Sequence, residues 1–271
     1  MPGQIIAFVN RKGGVGKSSC VHHLGGALAG RGHRVLLVDA DPQASLTQGL
    51  LGPETARALP AHETIAAIYG DGAEPAGLVR PLPFASLSLL PGGEALDTHN
   101  LPDPWTRGDD QYLLSEALAE LRPDFDLILI DCPPHIYLSA WSALVASDGV
   151  VVPLQAEDYG AQGIASLQGS IDHVRATANP GLRLLGYLVT MFNKSLAVHT
   201  GYERDLRAIY GPDVFAATIP LAKDFKEAVM LRQPASSYKP RSAAAKAIQA
   251  LADELLARLV SPRNAAAGEA A

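Results

Sequence analysis

Short runs of consecutive apolar residues alternate with longer, helically periodic stretches along most of the chain. An apolar run of about four to eight residues is typical of a strand buried on both faces, whereas apolar residues at every third or fourth position indicate a helix. The runs predict strands at residues 5–9, 34–38, 87–90, 127–130, 149–154, 184–190 and 214–219. The periodic stretches predict helices at residues 18–30, 64–69, 109–121, 137–146, 161–177, 200–210 and 242–259.

This alternation predicts an α/β fold in which a mainly parallel, twisted sheet carries helices on both faces. No stretch is typical of a linker, so we expect a single domain over residues 1–260 and a flexible, alanine-rich tail at residues 261–271. Of the 271 residues, 48% are hydrophobic, which is enough for a substantial core. The sequence shows neither a signal peptide nor a transmembrane helix, and its two cysteines indicate neither a disulfide framework nor a zinc site, so we expect a protein of the reduced cytoplasm.

A glycine-rich loop lies between the first predicted strand and the first predicted helix. It spans residues 11–19 and reads R-K-G-G-V-G-K-S-S. Backbone N–H groups in such a loop, together with the positive end of the helix dipole, form a binding site for a polyphosphate. We expect Lys17 to contact the β- and γ-phosphates and the Ser18 hydroxyl to bind Mg²⁺. The residues expected to bind the nucleotide are Lys12, Gly13, Gly14, Val15, Gly16, Lys17, Ser18 and Ser19.

Two further predicted strands end in aspartates. Asp39 and Asp41 follow the strand at residues 34–38, and the aliphatic run at residues 127–130 ends at Asp131. Open α/β sheets bind ligands beyond the carboxyl ends of their strands, and a buried carboxylate without a partner is costly. We therefore expect these carboxylates to lie in the same site as the glycine-rich loop.

The loop departs from the general phosphate-loop pattern G-x-x-x-x-G-K-[ST], because Arg11 replaces the first glycine and a second lysine, Lys12, follows it. This K-G-G-x-G-K-[ST] form, with D-x-D-P-Q at residues 39–43 and D-C-P-P at residues 131–134, resembles the deviant Walker A ATPases of the ParA and MinD family. The resemblance extends over nearly the whole chain. It implies a P-loop fold, ATP and Mg²⁺ as cofactors, and slow hydrolysis of ATP to ADP and phosphate.

The resemblance also implies catalytic roles for three residues. Lys12 would reach across a homodimer that forms on ATP binding, to the phosphates held by the other subunit. Together with Lys17 it would stabilise the charge that develops at the γ-phosphate. Asp41 would orient the attacking water, and residues 42–47 after it would form a nucleotide-sensing segment.

Metal and adenine contacts are implied in the same way. Ser18, Asp39 and Asp131 would hold Mg²⁺, Asp39 through its water shell and Asp131 through a water molecule. The residues expected beside the adenine are Met191, Asn193 and Pro220.

Charge is distributed unevenly along the chain. Residues 1–180 contain 10 lysines and arginines against 20 acidic residues, whereas residues 181–271 contain 12 against 8. A local basic patch can bind DNA phosphates despite the net charge of −6. The resemblance implies that the ATP-bound dimer binds non-specific double-stranded DNA. The DNA-binding candidates are Lys194, Lys223, Lys226, Arg232 and Lys246.

By the same resemblance, the protein would be nucleoid-associated and would segregate chromosome or plasmid DNA. A ParB-like partner would stimulate hydrolysis and release the dimer. The beginning of the chain suggests the short, chromosomal-type form without an N-terminal helix-turn-helix domain. We expect no membrane partner, because the tail lacks the bulky apolar residues of an amphipathic anchor.

Three alternatives remain open at this stage. The same chemistry could position a protein cargo, such as a carboxysome or a chemoreceptor cluster, on the nucleoid. The chain could instead be a MinD-like membrane-cycling ATPase, or a metabolic enzyme of the same fold, such as a synthetase.

Five further side chains are assigned to structure. Adjacent helical residues point about 100° apart, so His22 and His23 are a poor metal pair and are assigned to packing or the surface. Cys20 and Cys132 are expected to be small buried hydrophobes. Trp105 is assigned to local packing, with a role in an interface as the alternative.

Overall fold

The structure, a computed structural model, describes residues 3–70, 72–156 and 161–261. The described residues form seven strands and twelve α-helices, joined by loops and short 3-10 turns. The strands are β1 (Gln4–Phe8), β2 (Val35–Asp39), β3 (Arg80–Pro81), β4 (Leu87–Leu90), β5 (Leu127–Asp131), β6 (Gly149–Gln155) and β7 (Arg183–Thr190). The helices are α1 (Lys17–Ala29), α2 (Ser45–Leu51), α3 (Pro53–Ala58), α4 (Ala66–Tyr69), α5 (Pro75–Leu78), α6 (Leu113–Leu121), α7 (Leu138–Ala146), α8 (Ala161–Thr177), α9 (Ala197–Tyr210), α10 (Lys223–Met230), α11 (Ala235–Tyr238) and α12 (Ala243–Val260).

The strands form one twisted sheet in the order β3-β4-β2-β5-β1-β6-β7. All neighbours pair in parallel except β3, which is antiparallel to β4 at the edge. In the register of the central strands, Asp131 pairs with both Phe8 and Asp39. The last residues of β1, β2 and β5 therefore lie side by side, and the loops that follow these strands converge at one edge of the sheet.

Apolar side chains cover both faces of the sheet. On β1, Ile5 and Ala7 belong to the hydrophobic cluster that contains α6, α7 and α8. Ile6 and Phe8 belong to the cluster on the other face, which contains α1 and α12. Successive strand residues point to opposite faces, so continuous apolar runs are required where both faces are covered. The predicted single-domain α/β fold is confirmed.

The predicted strand at residues 214–219 is wrong. Only isolated bridges form in this part of the chain, from Val214 to Tyr187 and from Pro220 to Phe192. The intervening N–H groups of Ala216 and Ala217 donate to the Glu254 carboxylate, at 2.9 Å each. A side chain of α12 thus takes the place of a neighbouring strand, which local apolar content does not reveal.

Several helix bounds differ from the prediction. The stretch predicted as a helix from residue 109 begins with a 3-10 turn, Gly108–Tyr112, and becomes α-helical only at Leu113. The short helices α2, α3, α5, α10 and α11 were not predicted, because four to eight residues carry too little periodic signal. The tail at residues 262–271 lies outside the described residues.

Of the side chains assigned to structure, both histidines and both cysteines are buried. The His22 ring contacts the Gln233 carbonyl, with 3.1 Å between Nε2 and O, and His23 Nδ1 accepts a hydrogen bond from Ala235 N at 3.1 Å. Cys20 and Cys132 are free and buried, and burial raises the pKa of the Cys20 thiol to about 12.

Two glycines allow α1 to approach its neighbours closely. A Cβ atom at Gly25 would overlap the Leu37 side chain on β2, and one at Gly26 would overlap the ring of Pro234. Leucine can adopt another rotamer, but the proline ring is rigid. Gly26 therefore sets how closely the helix that follows the glycine-rich loop packs against the start of α11.

We predict that Gly26→Ala lowers the free energy of unfolding by about 1–3 kcal/mol, because overpacking outweighs the gain in helix propensity. The control is Gly169→Ala on the exposed side of α8, where a Cβ meets no atom within 4 Å. That variant should gain up to about 1 kcal/mol. Urea unfolding monitored by circular dichroism measures both. Stabilisation of both variants to the same extent would contradict the close packing.

Candidate functional site

The glycine-rich loop connects β1 to α1 and wraps around the first turn of the helix. Gly14 and Gly16 adopt positive φ angles of 77° and 87°, a conformation that side chains disfavour, and α1 begins at Lys17. The loop encloses one side of a cavity of about 360 Å³. Backbone N–H groups and the positive end of α1 make it suited to bind an anion. The lining residues are Gly13, Gly14, Gly16, Lys17, Ser18, Ser19, Asp41, Gln43, Ser45 and Pro134.

The two lysines of the loop have different environments. Lys17 is only 7% exposed, and its Nζ donates to the carbonyl oxygens of Asn10 and Lys12, at 3.2 and 3.3 Å. Burial lowers the pKa of Lys17, and the nearby Asp131 opposes this shift. Lys12 is exposed and is not among the residues that line the cavity. The Lys12 backbone is fixed by a hydrogen bond from its N–H to Asn10 Oδ1, at 2.9 Å.

Asp39 is fully buried and is held by the start of α2. Thr47 donates to Asp39 Oδ2 twice, from its backbone N–H and its hydroxyl, both at 2.7 Å. The Thr47 hydroxyl also accepts a hydrogen bond from Gly92 N at 2.9 Å, which connects the loop after β4. Burial raises the pKa of Asp39 to about 7, against the lowering effect of these hydrogen bonds. Sequence reasoning placed Thr47 in a sensing segment but gave no signal of this contact.

Asp131 is buried beside Asp39 and lacks such support. Neither of its carboxylate oxygens has a hydrogen bond of normal geometry within the described chain. Burial raises the pKa of Asp131 well above its ordinary value, and the neighbouring Asp39 raises it further. Among the described residues, only the Ser18 hydroxyl and the Lys17 ammonium act to lower the pKa of Asp131. A buried carboxylate with so little support is suited to bind a cation or a cation-bound water. The donor set of Ser18, Asp39 and Asp131 therefore fits a hard cation such as Mg²⁺.

Asp41 is half-buried and lines the cavity, together with Gln43 and Ser45 of the same loop. Its Oδ1 accepts a hydrogen bond from Gln43 N at 3.0 Å. Ala44 has a positive φ of 51° at the point where α2 begins. The carboxylate therefore lies beside the anion-binding loop on a short, tightly turned segment.

A second, mostly apolar cavity of about 320 Å³ adjoins the loop at Gly16 and Ser19. The expected adenine contacts Met191 and Pro220 line it, whereas Asn193 does not. The Asn193 side chain instead accepts a hydrogen bond from Ser195 N at 3.0 Å. Leu221, Ala222, Phe225 and Val229 also line this cavity and were not predicted from the sequence. Thr190 lines it as well, and its hydroxyl donates to Val15 O at 2.8 Å.

All five basic DNA-binding candidates are exposed, but they do not form one group along the chain. Lys223 and Lys226 lie on α10, and Arg232 follows that helix directly. Lys226 also lines the apolar cavity. Lys194 follows β7, and Lys246 lies on α12. Acidic neighbours reduce the net positive charge around α10. Glu227 Oε1 lies 3.4 Å from Lys223 Nζ, and both Asp224 and Glu227 accept hydrogen bonds from Lys239 Nζ.

Among residues 3–70, 72–156 and 161–261, no three His, Cys, Asp or Glu side chains are grouped so that they could hold a metal ion by themselves. Within the same residues, no helix is long and apolar enough to cross a bilayer.

We predict that the metal-free protein loses stability as the pH rises from about 4 to about 7. The folded-state pKa of Asp39, about 7, lies above the unfolded value of about 3.9, so in this range the folded state binds more protons than the unfolded state. The pKa of Asp131 is also raised in the folded state, so Asp131 adds to the loss of stability as the pH rises. Asp131→Asn should therefore flatten the decline, measured as Tm against pH in the presence of EDTA.

Asp126→Asn is the matched control for this pH series. Hydrogen bonds from Arg34 lower the pKa of Asp126. Its contribution to the stability of the folded state is therefore complete above about pH 4 and is lost only in more acidic solution. The slope of Tm between about pH 5 and pH 8 should be unchanged in this variant. Equal slopes in wild type and Asp131→Asn would contradict the buried, unsupported carboxylate.

Comparisons with known proteins agree with this geometry. A family model described as an AAA domain matches residues 3–184. The chain is 38% identical over 257 residues to the chromosome-partitioning ATPase Soj of Thermus thermophilus, covering 94% of this chain and 96% of that protein. It is 33% identical over 262 residues to the chromosome partitioning protein ParA of Caulobacter vibrioides, covering 95% of each.

A solved structure extends these similarities to three dimensions. Cobyrinic acid a,c-diamide synthase from Mycobacterium smegmatis, crystallised with an ATP analogue and magnesium, superposes with a TM-score of 0.81 and 31% identity, over 96% of each chain. The resemblance inferred from Lys12 and the two acidic strand ends is confirmed. The chain belongs to the family of ParA-type ATPases.

Proposed function

We propose that this protein is a DNA-partition ATPase that binds ATP and Mg²⁺, dimerises around the nucleotide and binds non-specific DNA in the ATP-bound state. The observation that carries the proposal is the pairing of a buried lysine, Lys17, with an exposed one, Lys12, in a single phosphate loop. The similarity to Soj and ParA supports the partition role.

Hydrolysis would proceed by attack of water on the γ-phosphate. The phosphates would lie against the N–H groups of the loop, with the adenine in the apolar cavity beside Met191 and Pro220. Mg²⁺ would be held at Ser18, Asp39 and Asp131 and would neutralise charge on the phosphates. Lys17 would stabilise the charge that develops at the γ-phosphate, and Asp41 would orient the water.

The position of Lys12 supports the proposed dimerisation. Lys17 is buried and lines the phosphate cavity, whereas Lys12 is exposed and outside its lining. We infer that Lys12 contacts the phosphates of a second copy once the dimer forms. This arrangement would make the dimer depend on ATP, since two facing basic loops repel each other without the anion between them.

We predict that Lys12→Ala keeps ATP binding within about threefold of wild type but loses ATP-dependent dimerisation and reduces DNA affinity at least about tenfold. Dimerisation is measured by light scattering, and binding to a labelled random duplex by anisotropy, with no nucleotide, ADP, ATP or a non-hydrolysable analogue. Arg57→Ala removes one exposed positive charge on α3 and is the matched control.

The outcomes of this experiment separate the parts of the proposal. Loss of both dimer and DNA binding in Lys12→Ala, but not in Arg57→Ala, supports the proposed cycle. A wild-type protein that binds ATP but no DNA in any nucleotide state contradicts the DNA-bound form. Unchanged dimerisation in Lys12→Ala contradicts the role of that lysine.

The DNA-binding residues are tested by the salt dependence of affinity. We predict that Lys223→Ala and Arg232→Ala each reduce the slope of log affinity against log salt by about one, because each removes one phosphate contact. ATP affinity should be unchanged, since neither residue lines either cavity. Lys226 is a poorer test, because it also lines the apolar cavity. Slopes equal to wild type in both variants would exclude α10 as the DNA-binding surface.

A synthetase is the second candidate, because the M. smegmatis structure carries that name. Glutamine-dependent amide synthesis commonly uses an accessible cysteine thiolate to release ammonia. Both cysteines of this chain are buried, and burial raises the pKa of each thiol, to about 12 for Cys20. The chain therefore favours the partition function. Glutamine-dependent ATP hydrolysis by the purified protein would reverse this preference.

A further inference from the structure

The chain leaves the sheet at Asn10, directly before the glycine-rich loop. The ladder between β1 and β6 includes the hydrogen bond from Val9 N to Val151 O, at 3.1 Å. In a parallel ladder, the next β6 carbonyl that faces β1 belongs to Pro153, two residues further on. Asn10 Nδ2 donates to this carbonyl oxygen at 2.6 Å. A side-chain amide thus takes the place of the backbone donor that a longer β1 would have supplied.

The same carboxamide holds the backbone of Lys12. Asn10 Oδ1 accepts a hydrogen bond from Lys12 N at 2.9 Å, and Asn10 is only 8% exposed. A carboxamide carries a donor and an acceptor in one planar group, so the two contacts together fix its orientation. A carboxylate would lack the donor, and an alanine would lack both groups. The backbone of Lys12 is therefore connected to β6 through one short, buried side chain.

The buried lysine of the loop contacts this turn from the other side. Lys17 Nζ donates to Asn10 O at 3.2 Å and to Lys12 O at 3.3 Å. The turn at residues 10–12 therefore lies between a strand of the sheet and the ammonium group expected at the phosphates. Lys12, although its side chain is exposed, projects from a backbone that is fixed on both sides.

Other contacts hold the loop at neighbouring points. Arg11 donates to Ser166 Oγ on α8, and the Thr190 hydroxyl on β7 donates to Val15 O at 2.8 Å. These contacts tether the loop to its surroundings, whereas the Asn10 side chain bonds to Lys12 itself. Asn10 is not among the residues that line the phosphate cavity. Any effect of its side chain on the phosphates must therefore pass through the loop.

We propose that Asn10 is a positioning residue for Lys12 and sets the point from which Lys12 reaches the phosphates of a second copy. The proposal rests on the proposed function and deepens it, because it names a residue that acts on the dimer through Lys12. A misplacement of about 1 Å can cost about a hundredfold in activity. Loss of the carboxamide should therefore weaken the dimer and leave nucleotide binding by one copy unchanged.

The first test is Asn10→Ala in the full chain. We expect the Kd of the ATP-dependent dimer, measured by light scattering over a range of protein concentrations, to rise about tenfold. The affinity for fluorescent mant-ATP should stay within about threefold of wild type. Asn10→Asp keeps the acceptor for Lys12 N and loses the donor to Pro153 O. Its dimer should be intermediate, and this variant tests the proposal if Asn10→Ala does not fold.

Asn179→Ala is the matched control, because Asn179 uses its carboxamide in the same way at the opposite edge of the sheet. Its Nδ2 donates to three carbonyl oxygens at the end of α7, and its Oδ1 accepts a hydrogen bond from Gly181 N at 3.2 Å. Both alanine variants should lower Tm, since each leaves carbonyl groups without their donor. Only Asn10→Ala should weaken the dimer.

A second readout reports on Lys12 in the nucleotide-free protein. Selective ¹⁵N-lysine labelling allows hydrogen exchange of the Lys12 amide to be followed by NMR. This exchange should be at least about tenfold faster in Asn10→Ala than in wild type, and unchanged in Asn179→Ala, because the Lys12 N–H loses its acceptor only in the first variant. In a Lys12→Ala background, adding Asn10→Ala should change mant-ATP affinity less than about twofold.

A weaker dimer, unchanged mant-ATP affinity and faster Lys12 exchange in Asn10→Ala alone support the proposal. A wild-type dimer in Asn10→Ala, equal weakening in Asn179→Ala, or a parallel loss of mant-ATP affinity overturns it. Dimerisation of wild type with ATP then leaves the proposed function in place. A wild-type protein that binds ATP without dimerising contradicts the proposed function instead. The exchange rate of the Lys12 amide still decides whether Asn10 holds that residue.

Discussion

The burial of two carboxylates side by side, at the carboxyl edge of the sheet, is the constraint on which the rest of the site depends. Asp39 and Asp131 pair in register and are both removed from water. Thr47 supports Asp39, whereas the Asp131 oxygens have no comparable donor in the described residues. Burial raises the pKa of Asp131 well above its ordinary value, and the neighbouring Asp39 carboxylate raises it further. Without a bound cation this arrangement is costly in free energy, and it therefore favours cation binding. The buried Lys17 ammonium offsets part of the negative charge.

The same carboxylates connect three loops. Thr47 links Asp39 to α2 and to Gly92, where a Cβ would lie only 2.7 Å from the Asp39 carbonyl oxygen. The third loop follows Asp131 directly and reaches Pro134, which lines the phosphate cavity. The loops after β2, β4 and β5 therefore all border the buried carboxylates.

The fold alone does not decide what the site is used for. A synthetase from M. smegmatis and the partition proteins Soj and ParA resemble this chain to a similar degree. Function on a shared fold resides in particular side chains. Our proposal of a partition role rests on Lys12, exposed in the phosphate loop, and on the two cysteines, whose burial disfavours the thiolate chemistry that an amide transfer commonly needs.

The sequence by itself determined the parallel α/β sheet, the phosphate loop and the acidic strand ends, because each is a local pattern: an apolar run, a glycine spacing, a carboxylate after a strand. Tertiary structure alone decided the contacts made between distant segments. The Thr47–Asp39 hydrogen bonds, the part of the apolar cavity formed by Phe225 and Val229, and the Glu254 carboxylate that replaces a strand partner at residues 216–217 all join segments without a shared local signal. No partner for Trp105 could be predicted from the sequence. Its ring packs on Trp141 and His173, which lie 36 and 68 residues further along the chain.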